Sequence, residues 1–449
     1  MGSPISRVIE RFGTGVGTGS LVLAGLYQGA DIQTVTVELL LVTVQVVYLE
    51  ALPAVALFTA FLLVTGTLLV REVWSSRDDD PRITDGPPLE AIVPVYGDAE
   101  TLPISVESLV ESEYENLTVT VVVEPNDEPT RSVARRLAAR HDRVRCRVNG
   151  RPGSKAGAIN WAVAESDADH FAVFDADEWI DPAFLPRAMA ELVGDGGGDG
   201  DSDADVFQGR RVPRATGPVE TLAYCERVLF HSSYKLVELF GFANCRSSST
   251  VFTREALERV GGFDDVLTED LAFAHDCYRV GCSVTQARQW TNTMEAPHTL
   301  GDLWGQRKRW RVGQVEVLHR TLREALEEGV DRRGLVSIGR LSSALLGTLA
   351  VLLLAGKIVL LLALNTESAL LVPVACLLAL IGGVALRDVQ DGRIDGLHWS
   401  ACFVVFVVPA FGVLTLKAVL EYAISWNGEW YRVTKTGTEA AAVGHGGDD

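Results

Sequence analysis

From Ile32 to Val70 the chain is almost unbroken in apolarity, roughly twice the ~20 residues that cross a bilayer as a helix. The break at Glu50–Pro53 predicts a helical hairpin of Ile32–Leu49 and Leu52–Val70. The alternative is one long tilted span with an interfacial piece. Apolar runs return at Leu341–Leu364, Ala369–Leu386 and Leu397–Leu420. The last holds Pro409 in its middle and Lys417 near its end, so it either crosses once or dips in and runs along the surface. Between Asp85 and Arg333 the rhythm changes. AIVPV (Ala91–Val95), TVTVVV (Thr118–Val123) and FAVF (Phe171–Phe174) are short, apolar on both faces and separated by helical segments. That is the pattern of a parallel sheet covered by helices on both sides. Each run gives way to a polar segment: YGDAET, EPND and DADEW. In such sheets ligands collect at the carboxyl ends of the strands.

Four regions emerge from this pattern. Residues 1–74 form an N-terminal membrane region, 75–335 a soluble α/β body, 336–426 a C-terminal membrane region and 427–449 an acidic tail. Within the body, Gly194–Asp205 (GDGGGDGDSDAD) is a low-complexity insertion expected to be a flexible loop. Arg71, Arg77, Arg332, Arg333 and Arg340 flank the spans, and the short turns at Glu50 and Asn365–Glu367 carry no Lys or Arg. The positive-inside rule then places the large middle region in the cytoplasm and makes the protein multi-pass in the cell membrane. Arg432 and Lys435 also favour the inside, which conflicts with a single third crossing. Glu38 and Gln45, seven apart, would share one helical face, and Lys357 interrupts a leucine-rich run. Polysaccharide passage, helix packing and snorkelling each account for them.

Composition adds a second layer. The mean hydropathy is positive, yet the formal net charge is −19. High acid with only six lysines, at 155, 235, 308, 357, 417 and 435, is a solubility strategy of halophiles. A face this acidic excludes nucleic acid as a partner. Seven cysteines without a CxxC pair fit a reduced compartment and give no zinc site.

Four stretches carry chemistry. Asp175 and Asp177, just past FAVF, are two carboxylates that one hard cation can bridge to phosphate, Mg²⁺ or Mn²⁺ being suited. Other DxD patterns exist in the chain, and position after a strand distinguishes this one. RPGSKAGAINWAV (Arg151–Val163) is a glycine-flanked loop opening a helix, a geometry that offers N–H groups to phosphate. Lys155 sits at its start. VLTEDLAFA (Val266–Ala274) places Glu269 and Asp270 at a helix start, where a carboxylate is either a general base or a complement to the helix dipole. In WGQRKRWRVG (Trp304–Gly313), Gln306, Arg309 and Trp310 share one helical face. An indole there docks a sugar and a guanidinium stabilises a departing diphosphate. The plainer reading is a basic juxtamembrane helix touching anionic lipid.

The ordered set of PVYGDAETL, DxD, TED and Gln-x-x-Arg-Trp, over roughly Leu89–Leu318 and between apolar spans, resembles the family 2 inverting glycosyltransferases of the cellulose, chitin and hyaluronan synthase type. The resemblance implies a GT-A (Rossmann-like) α/β domain flanked by transmembrane α-helices. It implies that Asp175 and Asp177 hold a metal on a nucleotide-sugar diphosphate, with Asp175 and Lys155 also contacting the donor. Pro94, Tyr96, Glu100 and Glu124 line the nucleoside pocket. Asp270, beside Glu269, is the catalytic base, and Gln306, Arg309 and Trp310 close over diphosphate and acceptor. A UDP-sugar donor and a polysaccharide, glycan or lipid acceptor are implied as well, with membrane lipids as surroundings. Two departures stand out. Glu124 occupies the place of an aspartate, which loosens the base assignment. ANCRSSSTVF (Ala243–Phe252) replaces an aromatic, cysteine and glycine stretch, suggesting a more polar acceptor mouth and opening the alternative of single-sugar transfer to a lipid or short glycan. Two rivals are a nucleotidyltransferase on a related fold, which needs no acceptor base, and a catalytically silent membrane scaffold or sugar-export subunit.

Overall fold

The computed structural model describes residues 32–39, 42–49, 51–75, 81–194, 204–363 and 371–425. The tail from 427 and most of the low-complexity insertion lie outside the described residues.

Strands β1 (Ile32–Leu39) and β2 (Val42–Leu49) form an antiparallel hairpin, and helix α1 (Ala51–Val73) comes next. The expected helical hairpin is therefore corrected over Ile32–Leu49. Threonine and valine alternate here, in TVTVEL and VTVQVV, and β-branched residues on a period of two favour a pleated strand over a helix. Glu38 pairs with Thr43 and Gln45 with Thr36, so the two polar residues do not share a helical face.

The body is built on an eight-stranded sheet. Its strands are β3 (Leu89–Val95), β4 (Leu117–Val123), β5 (Val144–Val148), β6 (His170–Val173), β7 (Glu178–Trp179), β8 (Val206–Pro213), β9 (Thr250–Thr253) and β10 (Val284–Met294), in the order β5-β4-β3-β6-β9-β8-β10-β7. The first four in that order are parallel; β9 runs antiparallel to both β6 and β8, and β10 is parallel to β8. The three apolar runs are the centre of the parallel half. Ala91, Ile92, Val93, Val121, Phe171 and Val173 are fully buried, which is what double-sided helix cover requires.

Helices α2 (Leu102–Val110), α3 (Glu128–Arg140), α4 (Lys155–Ala164) and α5 (Phe184–Val193) serve the first half of the chain order. In the second, α6 (Pro218–Glu238), α7 (Arg254–Val260), α8 (Glu269–Val280) and the long α9 (Leu300–Glu328) surround the sheet. The chain closes with α10 (Arg332–Ala363), α11 (Val372–Gln390), a 3₁₀ turn at Trp399–Phe403 and α12 (Val404–Ser425). Among the described residues, three helical segments are long and apolar enough to cross a membrane: Val55–Val73, Arg332–Leu354 and Val372–Gln390. The stretch around Pro409 bends by 42°, as a proline without an amide donor makes it do. Leu346, Phe406 and Leu416 on these helices are more than half exposed.

The membrane-class helices are tied to the sheet by buried polar pairs. Asp388 of α11 takes two hydrogen bonds from Arg210 of β8, at 2.9 and 2.5 Å, and one from Tyr224 of α6 at 2.6 Å. Arg288 of β10 meets Glu72 of α1, and Thr65 of α1 meets Ser232 of α6 at 2.8 Å.

Candidate active site

The polar segments that extend β3, β4 and β6 lie side by side at the carboxyl ends of these parallel strands. Asp127 binds them to one another: its side chain caps α3 at Thr130 N, 3.2 Å away, and accepts from Gly97 N after β3. Tyr96 is half exposed there and Glu100 is exposed, both beyond Pro94 at the strand end. Glu124 accepts from Asn149 Nδ2 at 2.6 Å and from Gly153 N at 3.0 Å. It thus fastens the loop that leads into α4 to the end of β4. Ser154 caps α4, accepting from Gly157 N at 3.0 Å, and Lys155 is the first helical residue.

Lys155 is the link between motifs far apart in sequence. Its Nζ lies 2.5 Å from Asp175 Oδ1 and 3.8 Å from Glu269 Oε1. Burial lowers its affinity for a proton, but Asp175 and Glu269 more than reverse this and hold the ammonium above its ordinary value. The second oxygen of Asp175 accepts from Arg211 Nη2 at 2.7 Å, and Arg211 Nε lies 2.6 Å from Glu178. Burial pushes the Glu178 carboxyl up to about 7, with Arg211 pulling it back and Asp175 and Asp177 pushing it further. Asp177 itself is buried. Three carboxylates thus sit at one strand end against two cations.

The TED stretch is brought to the same place by α9. Gly313 of α9 lies so close to Thr268 that a Cβ there would overlap the threonine side chain, so glycine permits the contact. One turn on, Glu316 accepts from Leu267 N at 3.0 Å. The helix bearing Gln306, Arg309 and Trp310 is thereby held against the segment bearing Glu269 and Asp270. Glu269 is buried and accepts from Ser247 Oγ at 2.8 Å; burial raises its carboxyl, while Lys155 and Arg309 oppose the rise. Asp270 is one-third exposed, with Arg246 Nη1 at 3.8 Å. Gln306 pairs with Arg307, and the Trp310 ring is covered by Arg307 at 4.2 Å and Arg227 at 5.2 Å.

The serines of ANCRSSSTVF correct an expectation. Ser247, Ser248 and Ser249 are buried and do not line a polar mouth. Ser247 holds Glu269, while Ser248 and Ser249 hold Glu178. A buried carboxylate needs such donors, and three short hydroxyls in sequence supply them. Ser249 takes a φ of 49° to do so. Sequence reasoning gives Arg211 no part in the site, and Glu178 stands there only as one acid of the DADEW segment. A double arginine inside the strand VFQGRRVP is the signal that pointed there.

No group of three or more His, Cys, Asp and Glu residues is gathered as a metal cage among the described residues. Two hard carboxylates at a strand end instead suit a Mg²⁺-class ion that takes its remaining ligands from substrate phosphate and water. Asp175 and Asp177 fit that donor set.

Residues 90–261 match the model for Glycosyl transferase family 2. Over 233 residues the chain is 25% identical to the poly-beta-1,6-N-acetyl-D-glucosamine synthase of Staphylococcus aureus and 26% identical to that of Staphylococcus epidermidis. These matches take in 50% of this chain and 54% of each relative, so the chain spans about half the length of the curated relatives it matches. The mannosyltransferase PcManGT from Pyrobaculum calidifontis, solved with GDP-Man and Mn²⁺, superposes with a TM-score of 0.54 at 19% identity, over 83% of this chain and 98% of its own. That likeness is one of fold: GT-A, the mixed α/β Rossmann-like sheet described above.

Proposed function

We propose that the protein is a membrane-bound inverting glycosyltransferase that moves a sugar from a nucleotide-sugar, a UDP-sugar in the first instance, to a polysaccharide, glycan or lipid acceptor. The observation that carries this reading is the junction at Lys155. It joins Asp175, just past β6, to Glu269, next to Asp270, with α9 packed against the segment at Leu267 and Thr268.

The geometry suggests a role for each residue. Pro94, Tyr96, Glu100 and Glu124 surround the strand ends where the nucleoside would lie. Lys155 would contact the diphosphate, and Gln306, Arg309 and Trp310 would close over it and the acceptor sugar. Asp175 and Asp177 would hold Mg²⁺ or Mn²⁺, which supplies charge neutralisation of the donor diphosphate. Asp270, exposed enough to meet an acceptor, takes the proton from its hydroxyl. The oxygen then bonds to the anomeric carbon as the bond from that carbon to the diphosphate breaks on the opposite face. Nucleoside diphosphate leaves, and an α-linked donor gives a β-linked product. The same reading sets the family 2 domain on the cytoplasmic side of a multi-pass protein.

The test is turnover by membranes carrying the protein with UDP-, GDP- and dTDP-sugars, product size resolved. Asp270→Asn should cut transfer by about 10²–10⁴-fold while donor binding persists; a variant that keeps most of its turnover would remove the base assignment. Asp177→Ala should abolish the metal-dependent part of donor binding, and donor affinity unchanged by chelator in both proteins would refute the metal role.

A further inference from the structure

Arg227, His231 and Tyr234 stand at i, i+4 and i+7 on α6, hence on one face of the helix. That face is turned inward: Arg227 is 4% exposed and His231 7%. The Nη1 of Arg227 and the Nδ1 of His231 are buried without a hydrogen-bond partner among the described residues. Two more arginines close over the same ground. Arg246 donates to the Tyr234 hydroxyl at 2.9 Å, and the Arg340 guanidinium lies 5.7 Å from the centre of the Tyr234 ring. Arg340 donates to Asn244 and meets His275, both neutral partners.

This group differs from four other buried arginines nearby and resembles Arg311, which meets Gln314 and the Phe411 ring. Arg210 is matched by Asp388, Arg211 by Asp175 and Glu178, Arg288 by Glu72 and Glu238, and Arg307 by Glu226. A buried charge ordinarily needs such a match. Against Arg227, Arg246 and Arg340 the described residues set one paired carboxylate, Asp270, 3.8 Å from Arg246. The surplus is felt by its neighbours. Burial alone would raise the Tyr234 phenol, yet Arg246, Arg340 and Arg227 bring it below its ordinary value. Burial, then Arg210, Arg227, Arg288 and Arg246, drive the His231 imidazole well down and keep it neutral. A cavity lies here, lined by Gln208, His231, Tyr234, Asn244, Arg246 and Arg288.

We propose that this cavity binds a phosphoryl group carried by the acceptor, with Arg246 in its wall, and Arg227 and Arg340 beside the lining residues His231 and Tyr234, as its counter-charge. The proposal rests on Asp270 being the base of the transfer, because Arg246 connects the cavity to that carboxylate. Lys155 lies outside this cavity, and Arg211, which shares its wall, is already engaged by Asp175 and Glu178. A phosphate monoester carries close to two charges and three acceptor oxygens, a match for several guanidinium donors. Helix α6 also packs on α1 and α11, through Thr65–Ser232 and Tyr224–Asp388. A phosphoryl group on a membrane lipid reaches the cavity from that side, and one on a soluble sugar phosphate from the site.

The experiment uses the full chain in neutral detergent, with octyl phosphate and inorganic phosphate as probes and octanol as control. Octyl phosphate should compete with the acceptor and leave donor hydrolysis by water unaffected. The inhibition should weaken about tenfold or more in Arg246→Gln. Arg227→Met should weaken it similarly while raising Tm, since it removes an unmatched buried charge; that rise separates lost binding from lost folding. Inhibition by octyl phosphate alone supports a lipid-borne phosphoryl group, and inhibition by inorganic phosphate as well supports a free one. Inhibition no stronger than that of octanol, or equal in wild type and both variants, overturns the proposal and leaves the transferase standing. A wild-type protein that turns over no donor at all would instead sink the transferase reading, and the proposal with it.

Discussion

Strands β3, β4 and β6 bury Ile92, Val121 and Phe171, whereas β8 and β10 bury Gln208, Arg210, Arg211 and Arg288 just as deeply. Every residue of Val206–Pro213 is buried. In the parallel half water is excluded because the side chains are apolar. In the other half the charged side chains of the strands are paired and Gln208 is saturated: its Nε2 donates to the carbonyls of Gly209, Ser248 and Ser249, and its oxygen accepts from Arg246 N and Thr250 Oγ1. The first solution tolerates approximate partners. The second fails if one partner is lost, and it lies where the sheet must meet both the membrane-class helices and the site.

Breaking a pair should therefore cost more than trimming an apolar side chain. Asp388→Ala leaves Arg210 buried without its acid and should destabilise the protein by about 3–5 kcal/mol. Replacing both, with Arg210→Met and Asp388→Leu, should recover most of the loss. Thermal unfolding of wild type and these two variants in one detergent measures this, and a double variant as unstable as the single one would contradict pairing as the principle of that half. In the parallel half, Ile92→Val should cost about 0.5–1.5 kcal/mol by the same measurement.

The smallest effect sharpens the comparison at one acid. Asp276 of α8 is buried, and burial pushes its carboxyl up to about 7; Arg320 pulls it down and the hydrogen bond with Asp264 pushes it up again. The folded state thus holds this proton to higher pH than the unfolded chain does. Its stabilising contribution is complete below the ordinary value near 3.8 and is lost as pH rises through about 7. Asp276→Asn should match wild type in Tm near pH 4 and exceed it above pH 7. A constant difference across that range would show that Asp276 is ionised throughout.

Legibility in the sequence divides along the same line. The parallel strands showed themselves because apolar runs bounded by polar loops carry one meaning, and the motifs at their ends sat where such a sheet puts ligands. Asp175, Lys155, Glu269, Asp270 and the helix bearing Trp310 could be assigned to one site before any coordinates. Arg211 and Glu178 could not, since a charged residue inside a strand has no meaning until its partner is known. The three serines suggested a polar acceptor mouth because sequence does not show that two carboxylates lie behind them. Ile32–Leu49 was read by its average hydropathy when its alternation of threonine and valine carried the signal.

The Arg210–Asp388 pair has side chains 1% and 0% exposed, whereas Arg323 and Glu327 on the surface of α9 are 73% and 59% exposed. Dissolved ions at about 1 M shorten the reach of surface charges to about 3 Å. Pairs such as Arg323–Glu327 then fade, while Arg210–Asp388 is sealed from the ions that would weaken it. The joint between the catalytic sheet and α11 should thus hold its geometry across a wide range of ionic strength, even as the acidic exterior gathers counterions.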